Sequence, residues 1–281
     1  MKPLPINKPI PLMEFLRESF PDLTRTEVKR FLKFESVIVN GRPQTKFDFR
    51  LKPGDDVRVL TKGESRGLSG MGNAHIVFED EHILVADKPP GLLTVATDKE
   101  REKTLYFRLM HYQREKSKGR ERIFIVHRLD REVSGLLIFA KTEEVKLKLQ
   151  KNWPRFEKFY TAVVEGTPPD PEGTVQSFLN EDALGNVTSS DRPSRDGREA
   201  VTHYRVVGSS RGRSVLEISI ETGRKHQIRV HMADLGCPIA GDDRYGAQTD
   251  PFRRLALHAT ELRILHPVTG KPAIFKRPAK F

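Results

Sequence analysis

Near the start of the chain, apolar residues recur twice at helical spacing. Leu12, Phe15 and Leu16, then Val28, Phe31 and Leu32, predict two short amphipathic helices. Thr24 followed three residues later by Glu27 is a capping-box pattern that opens the second helix. Residues 36–39 then read as extended, Asn40-Gly41 as a hairpin turn, and 57–60, after Pro53-Gly54, as a second short strand. Four glycines and few large apolar groups fall in 61–74, which predicts a flexible linker. Gly67, Gly70 and Gly72 are wrongly spaced for a dinucleotide loop and precede no helix. From His75 onward, short apolar runs at 83–86, 123–126, 136–140, 160–164, 216–220 and 263–265 predict strands. Helical pieces fall between them at 142–152, with Thr142 as N-cap, and at 227–235, closed by Gly236. Residues 184–198, rich in Ser, Asp, Arg and Gly, read as a mobile loop.

Many strands with few scattered helices predict an α+β fold with a mixed, largely antiparallel sheet, preceded by a small α+β unit. The expected boundaries are 8–61 for the small unit, 62–74 for the linker and 75–281 for the large domain. At 281 residues the chain has the length for both, and at 37% hydrophobic it can bury a core in each.

Charge adds a partner. Lys and Arg outnumber Asp and Glu by 49 to 38, a formal net charge of +11. That surplus fits a polyanion such as RNA, the alternative being a soluble protein that is merely basic. On the second predicted helix Arg25, Lys29 and Lys33 recur every fourth residue, opposite the apolar trio. Such a stripe is either a solvated face or a phosphate contact. The segment 114–122, with five basic and two acidic residues, leaves the same choice open. A single cysteine, Cys237, excludes an intrachain disulfide and a cysteine-based zinc cluster. The opening MKPLPINKPI has prolines where a signal peptide needs an apolar run, and no stretch reaches membrane-spanning length. A reducing compartment, the cytoplasm, is expected.

Candidate chemistry gathers in two segments. In IFIVHRLDREVSGLLIFAKT a strand ends at Val126 and another begins after Gly135, so His127, Arg128 and Asp130 sit on a tight connection between buried strands. Asp130 either accepts hydrogen bonds within the turn or performs chemistry. A kinase loop is rejected, because Leu129 interrupts His-Arg-Asp and no Gly-rich loop or Asp-Phe-Gly accompanies it. A metal site is disfavoured, since His226 and His231 are five apart and no acidic cluster joins them. In ISIETGRKHQIRVHMADLG a strand runs through a turn into a helix, placing Arg224, Lys225, His226 and Arg229 around the helix N-terminus, a natural anion site. A capped turn with basic decoration is the plainer reading, but it leaves this gathering of cations unexplained.

Together these segments resemble the RluA-type pseudouridine synthases. In the family's order the chain shows DKPPGLLT (87–94), HRLDREVSGLL (127–137), KFYTAVVEG (158–166), TGRKHQIRVH (222–231), GDDRYG (241–246), LHA (257–259) and HPVTG (266–270). The first sixty residues are similar to the alpha-L RNA-binding fold shared with a small-subunit ribosomal protein, on two helices followed by VIVNGR and LKPGDDVRVL.

The resemblance implies a pseudouridine synthase fold and an isomerase that converts uridine to pseudouridine in RNA. It places the catalytic aspartate at Asp130, the arginine that keeps it ionised at Arg229, and the aromatic stacking on the target uracil at Tyr160. Ile228 would pack the pocket. The uridine must leave its stack, at a cost of a few kcal/mol, and Arg128 is the residue expected to enter the vacated space. Arg224 and Lys225 are further substrate contacts, while Arg25, Lys29, Lys33 and Arg42 would meet RNA through the small unit. No cofactor or metal is implied, and a monomer is expected. The attached small unit favours large-subunit ribosomal RNA over transfer RNA as substrate. One departure is Val133, where the family usually has Thr before Ser-Gly; a hydroxyl there would support the loop's hydrogen bonds. Two rivals stand beside this reading: a non-catalytic RNA-binding or ribosome-assembly factor, and a hydrolase using Asp87 and Asp130 as a carboxylate pair.

Overall fold

In a computed structural model that describes residues 6–21, 23–33, 36–40, 42–59, 74–98, 100–183 and 185–281, the chain folds as two compact units. One falls within Met1–Ala74 and takes in Tyr106–Arg122; the other comprises His75–Leu105 and Ile123–Phe281.

In the first unit, helices α1 (Leu12–Ser19) and α2 (Arg25–Lys33) form where the apolar spacing predicts. The capping box closes in both directions. Glu27 Oε2 accepts from Thr24 N at 2.8 Å and Thr24 Oγ1 accepts from Glu27 N at 3.2 Å, which satisfies two of the donors a helix start leaves open. Strand β1 (Ile10–Pro11) pairs with β4 (Arg50–Leu51), while β2 (Val37–Val39) lies between β3 (Arg42–Pro43) and β5 (Val57–Val59). Asn40, at φ 50, turns β2 into β3 so that Val39 faces Arg42. Leu12, Phe15 and Leu16 of α1 and Val28 and Leu32 of α2 meet Val37, Val39, Val57 and Val59 in one core. Burying each such side chain stabilises by roughly 1.5–3 kcal/mol. Residues 60–73, which hold the expected linker apart from Ala74, lie outside the described residues.

A helix not foreseen in the sequence, α3 (Leu105–Lys116), buries Leu105, Leu109 and Gln113 along one face. The segment 114–122 is therefore a helix end and the turn beyond it, with Arg114, Lys118, Arg120 and Arg122 exposed.

The second unit is built on an eleven-stranded sheet among the described residues. Its strands are β6 (His75–Glu79), β7 (Ile83–Lys88), β8 (Phe124–Ile125), β9 (Ser134–Ala140), β10 (Glu157–Glu165), β11 (Glu172–Glu181), β12 (Val187–Ser190), β13 (Arg198–Ser210), β14 (Arg213–Ile220), β15 (Leu257–Leu265) and β16 (Pro272–Lys276). Their order is β12-β11-β13-β14-β10-β15-β9-β7-β6, with β16 beside β15 and β8 beside β9. The pairings are antiparallel except that β15 runs parallel to β9. This is the largely antiparallel α+β fold the sequence predicts.

Helix α4 (Glu143–Asn152) starts at the expected cap, where Thr142 Oγ1 accepts from Val145 N at 3.2 Å. It lays Val145 and Leu149 on Ile83, Val85, Leu136 and Ile138. Helix α5 (Gln227–Asp234) ends before Gly236, at φ 72. It sets Val230 against Leu179, Val187 and Ala200.

One expectation is corrected. Within 184–198, Val187–Ser190 is not loop but β12, which pairs with β11 from Glu181↔Val187 to Phe178↔Ser190, while 191–197 connects it to β13, which begins at Arg198. The strand was hidden because β12, read VTSS, carries one apolar side chain, Val187, and that one packs beneath α5.

Where β9 meets β15, Gly135 has φ 117, and a Cβ there would overlap the Ala259 backbone. Gly135→Ala should therefore cost at least about 2 kcal/mol, from overpacking and backbone strain combined. Denaturant melts check this; a change under about 0.5 kcal/mol, the size of a neutral surface substitution, would show that the parallel pair can shift to make room.

Candidate active site

Asp130 stands on the connection between β8 and β9, and the segment 88–94 grips that connection from beneath. Lys88, fully buried, donates from Nζ to Leu92 O (2.7 Å), Arg131 O (3.0 Å) and Pro89 O (3.1 Å). Thr94 Oγ1 donates to Leu129 O at 2.7 Å and accepts from Leu129 N at 3.2 Å. Gly91 N donates to Arg131 O at 2.8 Å, and Arg131 Nε returns a bond to Gly91 O at 3.1 Å. These bonds flank Asp130 on both sides and hold its backbone still. Burial brings the Lys88 ammonium down to about 7, against Glu132 and Asp130, which favour its charged form.

His127 is structural. Its Nε2 accepts from Ile138 N at 3.1 Å and its ring stacks on Trp153 at 4.1 Å, while burial lowers its pKa to about 3. His231 is likewise satisfied, by Ser177 Oγ at 3.0 Å and Thr202 Oγ1 at 2.9 Å. At the start of β9, Ser134 Oγ meets His258 Nδ1 at 2.8 Å and takes a bond from Arg254, tying the exit of the loop to β15.

Above the loop opens a small cleft of about 80 Å³. Asp130, Arg128, Tyr160, Ile228, Arg229 and Arg224 all line it, although they come from β10, α5 and two separate turns. Val133, which stands where the family usually has Thr, lines it too. Lys225 is turned aside: its Nζ reaches Glu181 Oε1 at 2.5 Å and Gly185 O at 3.0 Å. Arg224 leans on Glu199 O through Nε at 3.0 Å. On the first unit Arg25 and Lys29 are exposed, with Glu14, Glu18 and Asp48 sharing a surface hollow with Arg25. The side chains of Lys33 and Arg42 lie outside the described residues.

Burial raises the Asp130 carboxyl above its usual range. The Arg229 charge opposes this most, Glu132 adds to it, and Arg128 and Lys88 oppose it. Arg229 acts on Asp130 through space. Its Nε and Nη2 form a buried two-point pair with Asp242 at 2.7 and 2.6 Å, and its Nη1 stands 3.7 Å from Glu132. The guanidinium also lies over the Tyr245 ring, 5.1 Å from its centre. Both Asp242 and Tyr245 come from GDDRYG, and the sequence pattern points to a role for neither. The signal available was Arg229 itself, since an arginine due to be buried needs a carboxylate partner.

Burial, and the nearby Asp130 charge, raise the Tyr160 hydroxyl well above its ordinary value, so it remains a neutral phenol. His226, at φ 54, caps α5, with Nδ1 2.7 Å from Tyr245 Oη and Nε2 3.9 Å from Asp130 Oδ2. Asp87 does not line the cleft. It takes a bond from Arg277 Nε at 2.7 Å, so it is not placed to act with Asp130 as the second carboxylate a hydrolase would need.

A family model described as RNA pseudouridylate synthase matches residues 82–234. The chain is 36% identical over 273 residues to the "Uncharacterized RNA pseudouridine synthase YlyB" of Bacillus subtilis, covering 94% of this chain and 89% of that protein. It is 33% identical over 277 residues to the "Ribosomal large subunit pseudouridine synthase D" of Escherichia coli K12, covering 92% and 84%. Among solved structures, "Human RNA Pseudouridylate Synthase Domain Containing 4" has a TM-score of 0.61 at 24% identity, over 73% of this chain and 88% of that one, a likeness of fold.

Proposed function

Since this chain belongs to the RNA pseudouridylate synthase family, an isomerase of uridine in RNA, we propose that it acts on large-subunit ribosomal RNA with Asp130 as its catalytic carboxylate. The observation that carries the catalytic assignment is the convergence of Asp130, Tyr160, Ile228 and Arg229 on one cleft. Reactant and product are isomers, so no energy source or redox step is needed. The C1′–N1 bond breaks, the base turns, and C1′ rejoins at C5. An ionised carboxylate beside the sugar serves this either as nucleophile or as base. Arg229 keeps Asp130 ionised in a setting that would otherwise protonate it, Tyr160 stacks on the uracil, and Ile228 packs its edge. Arg128, exposed at the rim, enters the space the flipped uridine leaves.

The substrate assignment rests on the relatives named for the large ribosomal subunit and on the small N-terminal unit, read as an RNA-binding module spanning 8–61. The enzyme acts as a monomer. Among the described residues no helix is long and apolar enough to cross a membrane. The test is to map pseudouridines in ribosomal and transfer RNA from cells with and without the gene. Loss confined to large-subunit RNA is expected; loss confined to transfer RNA would overturn the substrate, and no loss the function. Appearance of free uracil would point to hydrolysis.

RNA contact through α2 has its own signature. Arg25→Ala with Lys29→Ala should weaken binding without changing turnover at saturating RNA. The slope of log affinity against log salt should become shallower by about 0.7–0.9 for each phosphate that the stripe no longer neutralises. An unchanged slope in filter binding would make this stripe a solvated face.

A further inference from the structure

His226 lies in the cleft beside the residues assigned to the reaction, and has no part in it yet. Its backbone is held at φ 54, a left-handed conformation uncommon outside glycine and Asn, and such outliers gather at functional sites. Its side chain is almost fully enclosed, and one ring nitrogen is committed, Nδ1 to Tyr245 Oη at 2.7 Å. The other, Nε2, makes no hydrogen bond among the described residues and faces Asp130 Oδ2 across 3.9 Å. That gap is too long for a hydrogen bond.

We propose, building on the assignment of Asp130 as the catalytic carboxylate, that His226 is a second catalytic residue: a neutral imidazole whose Nε2–H donates a hydrogen bond to the uracil carbonyl that gains charge as the glycosidic bond breaks. The tautomer follows from its neighbours. The Val187 backbone N–H approaches the Tyr245 oxygen, leaving the phenol hydrogen to donate into His226 Nδ1. The ring proton then belongs on Nε2, where it faces a carboxylate that a bare lone pair would repel.

Neutrality follows from the surroundings. Burial, and then the charges of Arg229, Arg244, Lys225 and Arg128, drive His226 down to about 3, with Asp130 the one anion facing the ring among the described residues. It is thus uncharged at any working pH. A neutral donor suits this reaction, because it stabilises charge without giving up a proton or pairing with Asp130 as an imidazolium would. The same logic operates where a helix N-terminus keeps a histidine neutral to polarise a carbonyl.

The bookkeeping of the step closes without another reagent. When C1′–N1 breaks, its electron pair leaves on the base and spreads to the ring carbonyls, where Nε2–H meets it. When C1′–C5 forms, the base returns an electron pair to C1′, C5 loses its hydrogen as a proton and N1 gains one.

The test uses full-length protein and total RNA, labelled with tritium at uracil C5, from cells lacking the gene, read as single-turnover tritium release. His226→Ala should lose about 100-fold in rate, the scale for one such donor, with RNA binding retained. His226→Gln, whose amide N–H can reach the same space, should recover about tenfold of that loss. Both should keep the wild-type acid limb, since no charge is lost. Tyr245→Phe, which frees the tautomer, should fall about tenfold.

A His226→Ala rate near wild type overturns the proposal. So does rescue by His226→Asn in place of Gln, because Asn suits the left-handed backbone and would reveal a purely structural role. A limb of the pH profile that vanishes in His226→Gln would show proton transfer and overturn it as well. Thermal melts accompany each variant, and if Ala fails to fold, the Gln–Asn comparison decides. Failure of the catalytic reading itself shows separately, as an active Asp130→Asn.

Discussion

Asp130→Asn is expected to abolish pseudouridine formation, by on the order of 10⁴-fold or more, while leaving the fold and RNA affinity in place. The side chain keeps its shape, and the bonds from Lys88, Thr94 and Gly91 that fix the loop run to backbone atoms of neighbouring residues. Stability should not fall. Asp130 has its folded pKa raised above the free value of 3.8, with burial the main cause. The folded state therefore holds the proton more tightly than the unfolded chain. The charged carboxylate costs stability at neutral pH, in full above the folded pKa, and the cost fades as pH falls towards 3.8. Asn lifts that cost, so the variant should match or exceed wild type in a melt at pH 7, and the two should converge in acid. Tritium release from C5-labelled RNA at a rate near wild type would remove Asp130 from the mechanism.

The second large effect belongs to Arg229, and Asp242 complicates it. Replacing Arg229 alone strands a carboxylate that is 1% exposed, which typically costs about 3–5 kcal/mol. The informative variant is therefore Arg229→Met with Asp242→Asn, which removes the pair together. Asp130 then loses the strongest influence that lowers its pKa while burial still raises it. Its folded pKa rises, so the ionised form is lost at a higher pH as acid is added. The acid limb of the rate profile should move towards neutrality. Removing a bare charge partner shifts a carboxylate by about 1–3 units, and because the Asp242 charge leaves too, the lower end of about 1 unit is expected. The double variant should be nearly inactive in mild acid and partly recover as pH rises. Arg229→Lys keeps the charge but cannot make the two-point bond to Asp242, so a smaller shift should accompany its loss of rate. A profile with the wild-type limb, only scaled down, would recast Arg229 as an RNA contact.

What the sequence made legible were features with local causes. The capping box at Thr24 and Glu27, the cap at Thr142 and the turn at Asn40 each depend on residues a few positions apart, and each is present. The strands with apolar runs are present as well, longer than their apolar cores wherever polar residues extend them: β15 begins at Leu257, not 263. Features set by distant partners were not legible. Lys88 follows Asp87 beyond the apolar run 83–86, where nothing local marks it for burial, but it is buried with three carbonyls from two loops converging on it. Asp242 lies thirteen residues beyond Arg229, past the end of α5, and no periodicity links them. Tyr245 and His226 meet in the same way, across nineteen residues. Helix α3 was not legible because its apolar and aromatic residues, at 105–107, 109, 110 and 112, surround the helix instead of forming one stripe.

The parallel pairing of β9 with β15 bears on the life of the chain before it is an enzyme. Ser134 and His258, which join at that seam, are separated by 124 positions in the chain. When β9 emerges during synthesis, the strand that completes its far side has yet to be made, and so has α5 with Arg229 and His226. The carboxylate loop must wait, in a partly collapsed nascent chain, for about half of the polypeptide to follow. Pairings of such long range slow folding, typically to milliseconds or longer. The newborn protein therefore carries its carboxylate loop through half of its synthesis before it can carry a working centre.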